Sequence, residues 1–218
     1  RTAAPMIAID HFMYAVPSLE DGIAWAMETF DAAPAYGGEH LGLGTRNALL
    51  SLGNTYLEII APDPAQDLSA NMGGRFAAMR SGGLVTWAAR GDLTAIARVL
   101  RAHDMGCRGP SRTQRKAADR KVLVWELLFP SAPQFGPRMP FFIDWLECPH
   151  PADTNPVGGQ FKQLTLTLPE PGELEALLAE LGLNLAVQQG EPGLGLTITT
   201  SRGEVELAST RETEDLGF

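Results

Sequence analysis

"MIAIDHFMYAVPSLEDGIAWAMETF", residues 6–30, changes its period partway along. MIAIDHFMYAV alternates in the manner of a strand. Ser18 with Asp21 three positions on resembles a capping box, and Ile23, Met27 and Phe30 then recur at helical spacing. Three short β-like runs punctuated by glycine follow: APAYGGEHLG, GTRNALLSLG and NTYLEIIAP. The order is strand, helix, strand, strand, strand.

The same order returns twice. GLVTWAARG leads into DLTAIARVLRAHDMG, with Asp92 as N-cap and Leu93, Ile96 and Leu100 on one stripe. CRGPSRT, KVLVWELLFP and MPFFIDWLE then read as strands. FKQLTLTLPE precedes PGELEALLAELG, whose stripe is Leu174, Leu177, Leu178 and Leu181 and whose stop is Gly182. NLAVQQGEP, GLGLTITTS and GEVELAS complete that shorter copy. The modules run over 6–62, 84–147 and 161–209. The segments 62–83 and 148–160, rich in Pro, Gly, Asn and Asp, read as linkers. A βαβββ unit leaves one sheet face bare, so paired units join into a curved, barrel-like mixed sheet with helices outside. The fold class is α+β.

The chain has 218 residues, 44% of them apolar, enough for a sizeable core. Acidic residues outnumber basic ones by 26 to 17, which argues against nucleic acid or an anionic membrane surface as partner. No apolar run is long enough to cross a bilayer, and RTAAPMIAID lacks a signal-peptide core. Two cysteines, Cys107 and Cys148, make no disulfide framework and suit a reducing, cytoplasmic setting.

Within YLEII, Glu58 is flanked by Leu57, Ile59 and Ile60, so burial is expected, and a buried carboxylate needs a partner. Pairing with Arg46 or another base is the structural reading; a functional site is the other. Aligning the copies by their first strands sets His11 against Gln163 and Thr86. Aligning the last strands sets Glu58 against Glu206 and Asp144. Ligands on two adjacent strands can point into one cleft. His11, among Ile9, Phe12 and Met13, is equally readable as a core histidine. His150 opens the second linker and is read as its cap.

The module order, with His11 on the opening strand and Glu58 on the closing one, resembles the vicinal oxygen chelate superfamily, which includes glyoxalase I, extradiol dioxygenases and bleomycin-resistance proteins. GGEHLGLGTRNALLSLGNTYLEII, PFFIDW and the later His150–Pro151 look like the glyoxalase-like domain family within it. The resemblance implies a divalent metal in the cleft, with His11, Glu58 and Asp144 as ligands; Thr86 departs from the expected His or Gln. It implies an isomerase, lyase or dioxygenase type of enzyme acting on a small oxygen-rich substrate. His11, His40 and Glu58 are then the candidate catalytic residues, and Thr45, Asn47 and Tyr56 the candidate substrate contacts; His40, Thr45 and Asn47 are equally readable as residues that hold the hairpin turn, and Asp144 as one that bonds nearby backbone. The rival is a metal-free protein that sequesters a small molecule, as bleomycin-resistance proteins do. Gln163 and Glu206 are candidate ligands of the third module, which is also free to complete a barrel with a second copy as a homodimer.

The basic run CRGPSRTQRKAADRK could draw a substrate carboxylate or phosphate, and is equally a solvated hairpin. No P-loop, G-x-S-x-G elbow or zinc-spaced cysteine pair occurs.

Overall fold

The computed structural model describes residues 7–116 and 122–218. The end of the basic run, 117–121, lies outside the described residues.

The first unit comprises β1 (Ala8–Ala15), α1 (Leu19–Phe30), β2 (Ala35–His40), β3 (Thr45–Ser51) and β4 (Tyr56–Pro62). A short helix, α2 (Met72–Ala77), follows within the expected linker. The second unit comprises β5 (Gly83–Arg90), α3 (Leu93–Ala102), β6 (Cys107–Lys116), β7 (Val122–Pro130) and β8 (Phe141–Asp144). The second linker holds α4 (Pro151–Thr154). Then come β9 (Gln160–Leu168), α5 (Gly172–Glu180), β10 (Val187–Gln189), β11 (Gly193–Thr200), β12 (Gly203–Ala208) and a last turn of helix, α6 (Arg211–Glu214).

The first two units share one eight-stranded sheet in the order β2-β3-β4-β1-β5-β8-β7-β6. β1 sits at its centre, parallel to β4 and antiparallel to β5. The sheet curls strongly, until its edge strands β2 and β6 approach each other. β9 to β12 form a separate four-stranded sheet.

Alternation sorts the side chains. Phe12, Leu57, Trp87 and Phe142 enter the main core together with the inner faces of α1, α3 and α5. The third unit packs into this same core, with Phe161 5.1 Å from Phe12 between ring centres. Residues of opposite parity line the concave face. One end of that face is filled by Met13, Ala15, Ile60 and Val85 against Phe76 of α2 and Leu216 beyond α6. The rest carries the polar groups described below.

Local signals hold the elements in place. Ser18 Oγ accepts from the Asp21 amide at 3.3 Å, and Asp92 Oδ1 accepts from Thr94 and Ala95. Gly182, at φ +90°, ends the α5 region in a conformation glycine adopts freely. The face of α1 differs from the expected stripe. Gly22 and Ala26 are buried with Leu19 and Phe30, whereas Met27 is half exposed. The reason is distance: a Cβ on Gly22 would lie 2.8 Å from Val16 and 3.0 Å from Ile59, so only small residues allow this approach. α2 is closer still, since a Cβ on Gly73 would lie 1.8 Å from the carbonyl oxygen of Gly44.

Candidate active site

The parallel register of β1 and β4 places His11 beside Tyr56 and Met13 beside Glu58, all on the concave face. His11 is 3% exposed and Glu58 7%. The two converge, with His11 Nε2 3.5 Å from Glu58 Oε2. Tyr56 stacks on the imidazole at 4.5 Å between ring centres and 15° between planes.

His11 is held from behind by its own neighbour. The β1–β5 pairing slips between Ile9 and His11, a bulge that breaks strict alternation at Asp10. The Asp10 carboxylate, wholly buried, thereby reaches His11 Nδ1 at 2.6 Å. Its other oxygen accepts from Trp145 Nε1 at 3.0 Å, stands 2.9 Å from His150 Nε2, and lies 3.6 Å from Arg90 Nη1. Burial alone would raise the pKa of this carboxyl; the hydrogen bonds and charges of His11 and His150 outweigh it and hold Asp10 well below the usual carboxylate range. An ionised carboxylate only accepts, so the proton of the 2.6 Å bond belongs to His11 Nδ1. In the neutral ring Nε2 is then bare, facing a carboxylate oxygen.

On the other side of Glu58, Asn47 Nδ2 donates to Oε1 at 2.7 Å. The Asn47 side-chain oxygen is buried and has no hydrogen-bond partner among the described residues. His40 Nε2 lies 3.4 Å from the same amide nitrogen and 3.9 Å from Glu58 Oε1, while its Nδ1 lies 2.9 Å from Thr45 Oγ1. A row therefore runs Asp10, His11, Glu58, Asn47, His40, Thr45. Its His40 end is the more exposed, with 23% of that side chain accessible against 3% for His11.

His11, His40, Glu58, Thr45, Asn47 and Tyr56 are thus brought together as a group. Asp144 is not. Its Oδ1 accepts from the Leu146 amide at 2.8 Å. Three residues along β8 from Phe141, whose ring meets His11 edge-on at 5.4 Å, alternation turns Asp144 to the opposite face. Thr86 is buried beside Met13. Gln163 and Glu206 flank Thr197 on the third unit's own sheet and are exposed. Arg46 bonds Glu20 at 2.7 and 2.9 Å, leaving Glu58 to other partners.

Two residues of the cluster were not expected from the sequence. Asp10 is the acceptor behind His11, and its signal was a second polar residue directly preceding His11 in an apolar strand, which breaks the period of two. His150 does cap α4, its Nδ1 accepting from Ala152 at 3.2 Å, but its Nε2 also reaches Asp10.

Two imidazoles that present Nε2 while Nδ1 is engaged, beside one carboxylate, form a donor set of the kind that holds divalent ions. Asn47 adds an unpartnered buried oxygen. In kind, the residues fit. Among the described residues no three His, Cys, Asp or Glu side chains are already drawn into an arrangement that could hold an ion. A shallow depression of about 530 Å³ on the third sheet, lined by Thr165, Thr210 and Glu214, touches none of this cluster.

The sequence model of the glyoxalase-like domain matches residues 9–182. Among curated proteins none matches the chain. Of solved structures, a hypothetical protein from Staphylococcus aureus is 15% identical with a TM-score of 0.62, covering 93% of this chain and 85% of its own. Methylmalonyl-CoA epimerase from Mycobacterium tuberculosis is 22% identical with a TM-score of 0.46, covering 62% of this chain and 84% of its own. At 15% identity the likeness to the first of these is one of fold.

Proposed function

This chain belongs to the glyoxalase-like domain family of the vicinal oxygen chelate superfamily, and we propose from that premise that it is a divalent-metal-dependent enzyme acting on a small, oxygen-rich substrate. One observation carries the reading: His11 Nε2 and Glu58 Oε2 face each other across 3.5 Å with the ring's other nitrogen already committed to Asp10. Two lone pairs so placed repel unless a cation, a second ring proton or a metal ion, lies between them. His11 and Glu58 would hold the ion, with the side-chain oxygen of Asn47 completing the set and His40 left as proton carrier. When bound, such an ion supplies Lewis-acid stabilisation of an enolate or oxyanion on the substrate.

The chain's own residues do the rest. Asp10 fixes the tautomer of His11, and Asn47 orients Glu58. His40, the more exposed imidazole and the one seated on Thr45, carries the proton at Nε2 to or from substrate. Tyr56 covers the His11 ring and excludes water from that side. A proton carrier beside an ion suits an isomerase or lyase step.

The test is metal content of protein purified without chelator, followed by calorimetric titration of chelator-treated protein with Zn²⁺, Mn²⁺ and Fe²⁺. We expect one ion per chain in the parent and at least tenfold weaker binding in His11→Ala and Glu58→Gln. A parent that neither holds nor takes up metal sinks the proposal. A second reading, a metal-free small-molecule-binding protein, then leads, and one observation favours it: Asn47 already satisfies Glu58 Oε1 at 2.7 Å without any ion. The homodimer is a separate proposal, supported by the exposed face of the third sheet around Gln163, Thr197 and Glu206; a strict monomer by light scattering removes it.

A further inference from the structure

One transverse row of side chains crosses the concave face. Pairing registers run Tyr56 to His11, His11 to Ala88, and Ala88 to Phe141 across four strands. The row continues over β7 and β6, where Arg108 pairs with Phe129. Phe129 stacks on Phe141 at 5.4 Å and 18°. The Arg108 guanidinium sits 4.9 Å over the Phe129 ring. Because Ala88 is small, the edge of Phe141 reaches His11 across it.

The two halves of the concave face are treated differently. The half that carries Met13 and Ile60 is sealed by Phe76 and Leu216. On the β7–β8 side Phe141 packs against the edge of that sealed cluster, Phe129 and Phe141 stay partly exposed although apolar rings of this size favour burial, and Arg108 is exposed. Arg108 has no carboxylate partner among the described residues, in a chain whose net charge is −9. An unpaired arginine on an aromatic face, at the end of an apolar path from a catalytic imidazole, marks a place for an anion.

We infer that the Phe141–Phe129–Arg108 wall binds the body of the substrate: a flat, apolar or aromatic framework whose oxygen-bearing end lies over His11 and Glu58 and whose far end carries a carboxylate, sulfonate or phosphate held by Arg108. This rests on the cluster being the reacting end, as proposed above, and names the class of molecule it takes. The aromatic edges supply area, and the guanidinium supplies selection for charge. A ligand lacking the anion gains the first and forgoes the second.

The wall is testable without knowing the substrate. The full chain, treated with chelator, is titrated with 8-anilinonaphthalene-1-sulfonate and with its uncharged counterpart N-phenyl-1-naphthylamine, following fluorescence. The parent should bind the sulfonate at least tenfold more tightly than the neutral amine. Arg108→Gln should remove that preference, weakening the sulfonate about tenfold and leaving the amine within twofold. Phe129→Ala should weaken both probes, and Phe129→Leu, which keeps apolar volume, should weaken both by less. Equal affinities in the parent, an Arg108→Gln variant that still prefers the sulfonate, Phe129 variants that leave both probes unchanged, or no binding at all would each overturn the inference. Since the protein is metal-stripped, these outcomes do not depend on the metal titration, so either proposal can fail alone.

Discussion

Asp10→Asn is close to isosteric and changes one property, the ability of both oxygens to accept. In the parent, Oδ1 takes the His11 Nδ1 proton at 2.6 Å, while Oδ2 takes Trp145 Nε1 and faces His150 Nε2. The amide keeps one oxygen. The arrangement that saves two bonds leaves that oxygen with Trp145 and His150 and turns the NH₂ toward His11. There it meets an N–H donor, so the ring must surrender its Nδ1 proton and take one at Nε2. The nitrogen aimed at Glu58 then ceases to be a lone pair. Losing the charged acceptor of these hydrogen bonds costs about 1.5–3 kcal/mol, or about 3–12 °C in Tm for a chain of this size. Metal affinity should fall by about 10–100-fold, as when the group behind a ligating imidazole is removed. Long-range ¹H–¹⁵N spectra of the imidazoles read the tautomer directly: protonated Nδ1 and bare Nε2 in the parent, the reverse in the variant. The acid limb of stability has a fixed sign. A carboxyl held below its ordinary value contributes stability that is full at neutral pH and is lost progressively as the pH falls from about 5, through its ordinary value, toward the depressed one. Asp10→Asn should therefore flatten the steep acid loss of the parent. A variant that melts within 1 °C of the parent and keeps the Nδ1–H tautomer of His11 would show that the carboxylate does not hold the ring.

Asn47→Asp sets a second carboxylate about where the amide now donates to Glu58 Oε1 at 2.7 Å. One of the pair must take a proton, so the variant should be less stable than the parent at pH 8, with the gap narrowing as pH falls through the raised value, in thermal melts across pH. Gly73→Ala drives a methyl into the Gly44 carbonyl, displaces α2 and weakens its amide bond to Leu43 at 3.0 Å. It should cost about 1–3 kcal/mol, whereas Gly172→Ala, with nothing within 4 Å of the new methyl, should be neutral or slightly stabilising in the same melts.

What the sequence made legible follows the strength of local patterning. The thrice-repeated order of elements was visible because each helix has its own stripe or cap and each strand its own punctuation. Leu93, Ile96 and Leu100 of α3 are buried as the spacing requires. α2 was not visible. Six residues reading MGGRFA carry two glycines and no stripe, and what holds them is the close approach of Gly73 to Gly44, a tertiary contact. The buried face of α1 departs from its apolar spacing for the same reason, since the close passage of Val16 and Ile59 favours Gly22 over Met27 on the inner face.

The site divides along the same line. His11 and Glu58 could be paired from the sequence because both sit on strands with a fixed place in the repeat, and parallel neighbours bring like faces together. Asp144 could not be placed, because alternation assigns it a face only once Phe141 is known to point inward, and that depends on the register of β5 against β8. Asp10 carries a readable signal: two adjacent polar residues in an apolar strand cannot both lie on the polar side of a regular pleat. One must be buried against the core or the strand must bulge. Here it bulges, and the bulge sets a carboxylate behind the imidazole rather than across the sheet from it. The irregular position in β1 is thus the one that fixes which nitrogen of His11 faces Glu58, so the defect in the repeat and the chemistry proposed for the cluster have a single physical origin.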